Sequence, residues 1–379
     1  DEEPEERLSK PRRRSTRLTN NSTQNPTNPS KLEPDVVPVP GNFAAGNQIE
    51  LIDATYTSVF GQGNKITGGS LNTILGSAVK AVNATEGIAL GYMAEINGTP
   101  EKSTSGSIAI GSAAVIADAN NSLAIGTQTF TSAEGSIAIG ENASTSETAI
   151  NGIAIGKNAS VVGENGVALG YGAKANGTSS IALGNSASTG VGANSAIAIG
   201  TDVTVNGANS YALGNNIKSL NTTSTGIAAI GSEIVNTAGS SNILIGEEIT
   251  NTSGDENILQ GKKVDNTGSY NILLGNNVTN VGMTNIVLGN ESSVLSASPK
   301  ANSSANIAIG NIAKVATGVG NISIGNMAAT NGGVGNISMG NVAINEGGTG
   351  SIAIGNGAGS GAAAGIIAMG NGVAVGAAQ

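Results

Sequence analysis

The fold of this chain is decided by a short motif, seen at its clearest as Ser136-Ile137-Ala138-Ile139-Gly140. The motif recurs with small changes, for example at 107–111, 306–310 and 351–355. Equivalent glycines stand at positions 61, 76, 91, 111, 126, 140, 156, 170, 184, 200, 214, 231, 246, 261, 275, 289, 310, 325, 340, 355 and 370, mostly 14 to 16 residues apart. A repeat this short and regular is typical of a solenoid in which each copy forms one coil.

Apolar residues alternate within each copy with the period of two that characterises a β-strand. Ile108 and Ile110 therefore project to one side and Ala109 to the other. A second apolar pair follows three and five residues after each recurrent Gly, as at Ala114 and Ile116. Each coil is predicted to hold two short strands and two turns, with Gly ending the first strand in a left-handed or strained conformation. Because so thin a coil encloses little core, we expect the alanine side to form a close-contact surface with other copies of the chain.

Composition restricts the chemistry that the chain can perform. It contains 57 Gly, three Phe and five Tyr, but no Trp, Cys or His. Disulfides, Ser-His-Asp triads, thiol nucleophiles and histidine-bearing zinc sites are thereby excluded. The acidic pairs Glu247–Glu248 and Asp255–Glu256 are expected to be solvated turn charges, and Gly332–Asn336 is expected to be a turn and not half of a calcium-binding repeat. The sequence predicts no enzyme activity, cofactor or metal.

The N-terminal segment differs from the repeats. Residues 1–47 hold an acidic cluster, a basic cluster and seven of the nine prolines, so we expect them to be disordered. Residues 48–379 form the repeat domain and carry the whole net charge of −9, which would repel nucleic acid. No leader peptide is recognisable and no apolar stretch approaches the roughly 20 residues of a membrane helix. Any membrane anchor is therefore expected to lie in a segment outside this chain.

The repeats resemble the head of the YadA-type trimeric autotransporter adhesins. The head motif of that family, roughly Asn/Ser-Val/Ile-Ala-Ile-Gly-x-x-Ala, is met at 136–143, 306–313 and 351–358. The resemblance implies an all-β fold, a left-handed parallel β-roll of about twenty coils of 14–16 residues, with three chains intertwined as a homotrimer. Neck, heptad stalk and anchor barrel are missing, so we expect a fragment of a longer adhesin or a protein that reuses the roll.

The resemblance also implies a function. It predicts a cell-surface adhesin head on a Gram-negative bacterium, attaching to collagen, fibronectin, laminin or host cells and capable of autoagglutination. A spacer, a phage or viral fibre, or a subunit of an extracellular filament are the alternatives.

Two long repeat intervals point to a place for ligand recognition. The intervals from Gly91 to Gly111 and from Gly289 to Gly310 are expected to bulge as loops, because a coil of fixed circumference cannot absorb about five extra residues. These loops hold the candidate ligand-binding residues Pro100, Lys102, Pro299 and Lys300.

Overall fold

The computed structural model describes residues 17–19, 41–295 and 303–376, and these residues form strands and turns only. They fall into two compact units, Asp1–Asn158 and Ala159–Gln379. Together the two units hold about 22 coils of about 15 residues, which confirms the predicted parallel β-solenoid. No helix in the described part of the chain is long and apolar enough to cross a membrane.

Within its described residues, 17–19 and 41–158, the first unit has eighteen strands, each two to five residues long. They are β1 (Arg17–Thr19), β2 (Phe43–Asn47), β3 (Glu50–Ile52), β4 (Ser58–Gln62), β5 (Lys65–Thr67), β6 (Thr73–Ser77), β7 (Lys80–Val82), β8 (Ala84–Thr85), β9 (Ile88–Tyr92), β10 (Glu95–Asn97), β11 (Thr104–Ser105), β12 (Ile108–Ile110), β13 (Val115–Ala117), β14 (Leu123–Ile125), β15 (Phe130–Thr131), β16 (Ile137–Ile139), β17 (Ser144–Thr145) and β18 (Ile153–Ile155).

The second unit continues the same pattern and includes four long strands, β28 to β31. Its strands are β19 (Ser160–Val161), β20 (Val167–Leu169), β21 (Lys174–Ala175), β22 (Ile181–Leu183), β23 (Ser188–Thr189), β24 (Ile197–Thr201), β25 (Thr204–Val205), β26 (Tyr211–Asn215), β27 (Lys218–Ser219), β28 (Ala228–Asn236), β29 (Ile243–Ser253), β30 (Ile258–Thr267), β31 (Ile272–Val281), β32 (Ile286–Asn290), β33 (Ser293–Val294), β34 (Ile307–Ile309), β35 (Lys314–Val315), β36 (Ile322–Ile324), β37 (Ala329–Thr330), β38 (Ile337–Met339), β39 (Ile344–Asn345), β40 (Ile352–Ile354), β41 (Gly359–Ser360), β42 (Ile367–Met369) and β43 (Ala374–Val375).

Each strand pairs in parallel and in register with its equivalent in the next coil. In the first unit β12 pairs with β14 and β14 with β16, so that Ala109, Ala124 and Ala138 stack above one another. The second strands stack likewise, as β13 on β15 and β15 on β17. In the second unit the long strands β29, β30 and β31 pair from end to end. The exception is β1, which lies antiparallel to β3.

The solenoid of the first unit begins inside residues 1–47, the segment that was expected to be disordered. Strand β2 begins at Phe43 and pairs in parallel with β4. The first coil thus begins five residues before the predicted boundary at Gln48. Strand β1 also lies within residues 1–47, and its Leu18 is the partner of Leu51 in the first coil.

In many coils the central inward residue of the first strand is a small one, and the isoleucines on either side of it point outward. In the coil of the clearest motif the inward residues are Ser136, Ala138, Ala143 and Thr145, all buried. The Ser136 and Thr145 hydroxyls hydrogen-bond directly across the interior, 2.9 Å apart. The expectation that alanine forms the outer contact surface is therefore wrong. In this coil the close walls enclose Ala138, whereas Ile137 and Ile139 lie outside; other coils hold a larger inward residue, such as Ile74 or Ile116, both fully buried.

One block of the second unit fills its interior differently. Leu244, Leu259 and Leu273 replace the central Ala and are fully buried. The residue five positions after the Gly becomes Asn, as in Asn251 and Asn266. Nδ2 of Asn266 donates to Oδ1 of Asn251 over 2.8 Å, so the amides satisfy one another beside the larger leucines. A buried polar group needs such a partner to be tolerated in the core.

Backbone geometry at the recurrent Gly follows the prediction and adds a second constraint. Gly200 has φ of 126° and Gly246 has φ of 141°, a region that side-chain-bearing residues rarely occupy. In addition, a β-carbon on Gly200 would overlap the carbonyl oxygen of Gly214 in the next coil. The corners of successive coils therefore stack too closely for any other residue.

A ladder of buried asparagines joins coils at the entry to the first strand. Oδ1 of Asn321 accepts the backbone N–H of Asn336 over 2.9 Å, and its Nδ2 donates to the carbonyl oxygens of Thr317 and Gly333, each over 3.1 Å. The backbone N–H of Asn321 donates in turn to Oδ1 of Asn306 over 2.9 Å. Each side chain thus supplies bonds that the backbone of the turn lacks.

Replacing Asn321 with alanine is expected to lower the free energy of unfolding by about 3 kcal/mol, because several buried backbone groups lose their partner at once. The matched control is Asn326→Ala in the same coil, whose amide is exposed and whose loss is expected to change stability by less than about 0.5 kcal/mol. Denaturant unfolding of both variants measures the difference. Equal effects would mean that the buried ladder is not a source of stability.

Candidate interaction surfaces

The outward residues of the first strands form what we call the aliphatic face. In the first unit it is a double row of partly exposed side chains, Ile108, Ile110, Leu123, Ile125, Ile137 and Ile139, held in register by the strand pairing. In the second unit Ile243, Ile258 and Ile272 remain 39%, 40% and 37% exposed. Contiguous apolar surface of this kind marks a contact with another molecule.

The outward residues of the second strands form a polar face. In the first unit Lys65 and Lys80 stand in register on neighbouring coils. Nζ of Lys65 lies 3.4 Å from Oε2 of Glu50, and Nζ of Lys80 lies 3.8 Å from Oε2 of Glu95. In the second unit this face carries Lys174, Thr204, Lys218, Thr250 and Asp265. Where the first strand is aliphatic outside and the second polar, a coil has an apolar and a solvated side; other second strands carry apolar outward residues, such as Val115 and Phe130.

Charged residues at the corner of the second unit pair between coils. Nζ of Lys262 lies 3.1 Å from Oε2 of Glu247, and Nζ of Lys263 lies 3.9 Å from Oε2 of Glu248. The hydrogen bond that Lys262 donates to Glu247, followed by the negative charge of that carboxylate, raises the pKa of Lys262 above its ordinary value of 10.5. These side chains are about half exposed, so the pairs mainly favour the correct coil register and add little stability.

Three of the four acidic residues expected to be solvated turn charges have partners in the structure, and Glu247 and Glu248 lie within β29 and not in a turn. Glu247 and Glu248 face lysines on the next coil, as described above. Oδ1 of Asp255 accepts the backbone N–H of Ser240 over 2.7 Å, in an exposed turn. Nδ2 of Asn336 donates to the carbonyl oxygen of Gly332 over 2.8 Å, so that Asn closes a turn as the sequence indicated. In the described residues, no three carboxylate side chains gather as a metal site would require.

A shallow groove of about 490 Å³ runs over the polar side of the second unit, between the corner and the second strand. Its wall is charged and polar, and it is lined by Asn216, Lys218, Glu233, Val235, Glu248, Thr250, Lys263, Asp265 and Asn277. The groove holds both cations and carboxylates, so it suits a polar ligand that offers both donors and acceptors. The sequence did not indicate this groove, because its residues come from five separate coils.

The first predicted loop lies where the repeat spacing placed it. Residues 98–103 connect β10 with β11, and Thr99 to Ser103 are exposed. The backbone N–H of Thr99 donates to Oδ1 of Asp118 over 2.9 Å, and that of Lys102 donates to Oγ1 of Thr99 over 3.1 Å. Pro100 and Lys102 are therefore presented to solvent on a loop tied to the next coil. Pro299 and Lys300 lie outside the described residues.

Part of the chain matches a known family of repeats. The YadA head domain repeat matches residues 117–143, 132–159, 148–173 and 162–187. The matched segments contain strands β14 to β22, and coils elsewhere in both units have the same strand pattern and the same corner glycine. No curated protein matches the chain.

Proposed function

Since residues 117–187 are YadA head domain repeats, we propose that this chain forms the head of a cell-surface adhesin. Such repeats indicate an adhesin-type protein exposed outside the cell, and their solenoid is a structural fold and not that of a known enzyme family. We place the protein on the surface of a Gram-negative bacterium, held in the outer membrane through a segment outside this chain. Its role is attachment to matrix proteins of the collagen, fibronectin and laminin class or to host cells, and autoagglutination. We assign it no catalytic activity, cofactor or metal.

The aliphatic face supports a homotrimer. A single solenoid leaves rows of isoleucine half exposed, and burial against two further copies would remove them from water. Three identical heads would also present each weak ligand contact three times, which strengthens binding by avidity. The polar face and the groove of the second unit would remain on the outside.

Two places are candidates for the ligand contact. The loop at 98–103 is exposed and supported by Asp118, and we assign it first, with Pro100 and Lys102 as its contact residues. The loop that carries Pro299 and Lys300 is proposed as its counterpart in the second unit. The charged groove around Lys218 and Lys263 is the second place.

Shortening the loop by removing residues 99–102 is expected to leave the coils folded and to weaken binding to the recognised matrix protein at least tenfold, because the coil closes behind the loop through the pairing of β8 and β11. Binding of the full chain to immobilised collagen, fibronectin and laminin measures this. The control is a groove variant, Lys218→Gln with Lys263→Gln, which keeps the loop.

The outcome separates the candidates. If the groove variant loses binding and the shortened loop does not, the contact lies in the groove and the assignment of the loop is wrong. If the unmodified chain binds none of the three matrix proteins nor host cells, the adhesin function itself is contradicted.

A further inference from the structure

Six exposed or partly exposed residues at three successive corners of the second unit form what we call the corner strip: Asn311, Ile312, Asn326, Met327, Asn341 and Val342. The asparagines bond to one another from coil to coil. Nδ2 of Asn311 donates to Oδ1 of Asn326 over 2.9 Å, and Nδ2 of Asn326 donates to Oδ1 of Asn341 over 2.8 Å. Each amide retains a second N–H and a second lone pair that point to no neighbour in this ladder, so the strip can both donate and accept.

The apolar residues of the corner strip are held in an unfavourable backbone conformation. Ile312, Met327 and Val342 have φ of 59°, 58° and 54°. The same corner position is taken elsewhere by Asn142 and Gly357, which tolerate this region, and by other unbranched residues such as Gln128 and Lys263. β-Branched residues are the least suited to it, and strain of this kind is typical of functional sites.

Burial within the coil does not offset this backbone strain. Ile312 and Met327 are 41% and 47% exposed, so they are not packed into the coil interior. Neighbouring outward positions are also apolar, with Ala329 and Ile344 on the second strands. The side chains would gain burial only against another molecule.

The distribution of charge along the chain indicates which kind of molecule could bury these side chains. Residues 301–379 contain one Lys and one Glu, Lys314 and Glu346, whereas the net charge of −9 lies between residues 36 and 300. The corner strip is thus a neutral area on a negatively charged chain. It offers no attraction to a basic or an acidic ligand, but it is where two copies of this chain can approach with the least repulsion.

The distance between successive amides of the corner strip also favours a second copy of this chain as the partner. Its coils pair in parallel and in register, so its amides recur about every 4.8 Å. A partner that forms hydrogen bonds with all three asparagine amides must carry hydrogen-bonding groups that repeat at the same distance. A second copy of the same solenoid does so, and because each amide is both donor and acceptor, two strips lying in opposite directions match themselves across a two-fold axis.

We propose that the corner strip is the surface through which one head binds another, apolar row against apolar row and amide ladder against amide ladder. This inference rests on the proposed function, since it names the contact for association between adhesin heads. It uses residues other than those of the aliphatic face, so a trimer built on that face keeps its strips free to join a second trimer.

The test is Ile312→Asn with Met327→Asn and Val342→Asn in the full chain, followed by sedimentation velocity over a range of concentrations. Asn tolerates the left-handed conformation, so the variant should melt at the same or a higher temperature than the parent. At the same time, assemblies larger than the trimer should need at least a tenfold higher concentration. Met93→Asn is the matched control, since Met93 occupies the same corner position in the first unit with φ of 55° and 43% exposure.

A second variant, Asn326→Asp, sets like charges opposite each other in the paired strips and should also suppress the larger assemblies, most strongly at low salt. Unchanged association in both variants overturns the proposal. So does loss of the trimer itself, because the strip would then be a contact within it. Loss of matrix binding with unchanged self-association also overturns it, since the strip would then be a ligand site. Sedimentation measures self-association in solution without a matrix ligand. Its result therefore does not depend on whether the chain binds matrix proteins in the adhesion assay.

Discussion

Gly200→Ala is expected to lower the free energy of unfolding by at least about 4 kcal/mol, a loss that few single substitutions reach. The added β-carbon would overlap the carbonyl oxygen of Gly214, which stands directly opposite in the pairing of β24 with β26. The overlap can be removed only if the two coils separate at the corner. That movement breaks the hydrogen bonds of both strands, since the coil spacing is set by the ladder itself. Calorimetry or denaturant unfolding of the variant measures the effect.

Gly347→Ala is the matched control. Gly347 has the same φ as Gly200, 126°, but a β-carbon there would meet nothing within 4 Å. Its substitution therefore carries only the backbone strain, about 1–2 kcal/mol. The difference between the variants isolates the close approach of the corners. If both destabilise the protein equally, conformation alone explains the recurrent Gly and the stacking argument fails.

Charging the aliphatic face is expected to convert the proposed trimer into a folded monomer. In Ile243→Lys with Ile258→Glu and Ile272→Lys, opposite charges lie on neighbouring coils, so they can pair within one chain. Burying them against another chain would require their desolvation, which costs several kcal/mol for each ion that is left unpaired. Light scattering should report one chain mass in place of three, while circular dichroism stays unchanged.

The control for this prediction carries charges on the polar face of the same block of long strands. Val235→Lys with Thr250→Glu changes outward residues of β28 and β29, which are in register on the polar face. We expect it to leave the trimer intact. A trimer that survives the charged aliphatic face, or dissociates only in the control, would place the interface elsewhere.

The sequence by itself determined the unit of the fold. Alternation over Ile137, Ala138 and Ile139 predicts a strand, and its return every 14 to 16 residues predicts a coil, because both signals depend only on local spacing. The position of the loop at 98–103 followed from the same spacing. The second loop, with Pro299 and Lys300, stays a prediction.

Tertiary structure alone decided which side of the strand is inside. Alternation separates two faces but does not say which one is turned to the core; here the hydroxyls of Ser136 and Thr145 meet across the coil, and Ala138 is the buried residue of its strand. The amide ladders, the groove and the corner strip likewise join residues a whole coil or more apart in sequence. The sequence pattern determines which strands and turns each repeat can form. Which residues a side chain contacts depends instead on the coils stacked above and below it.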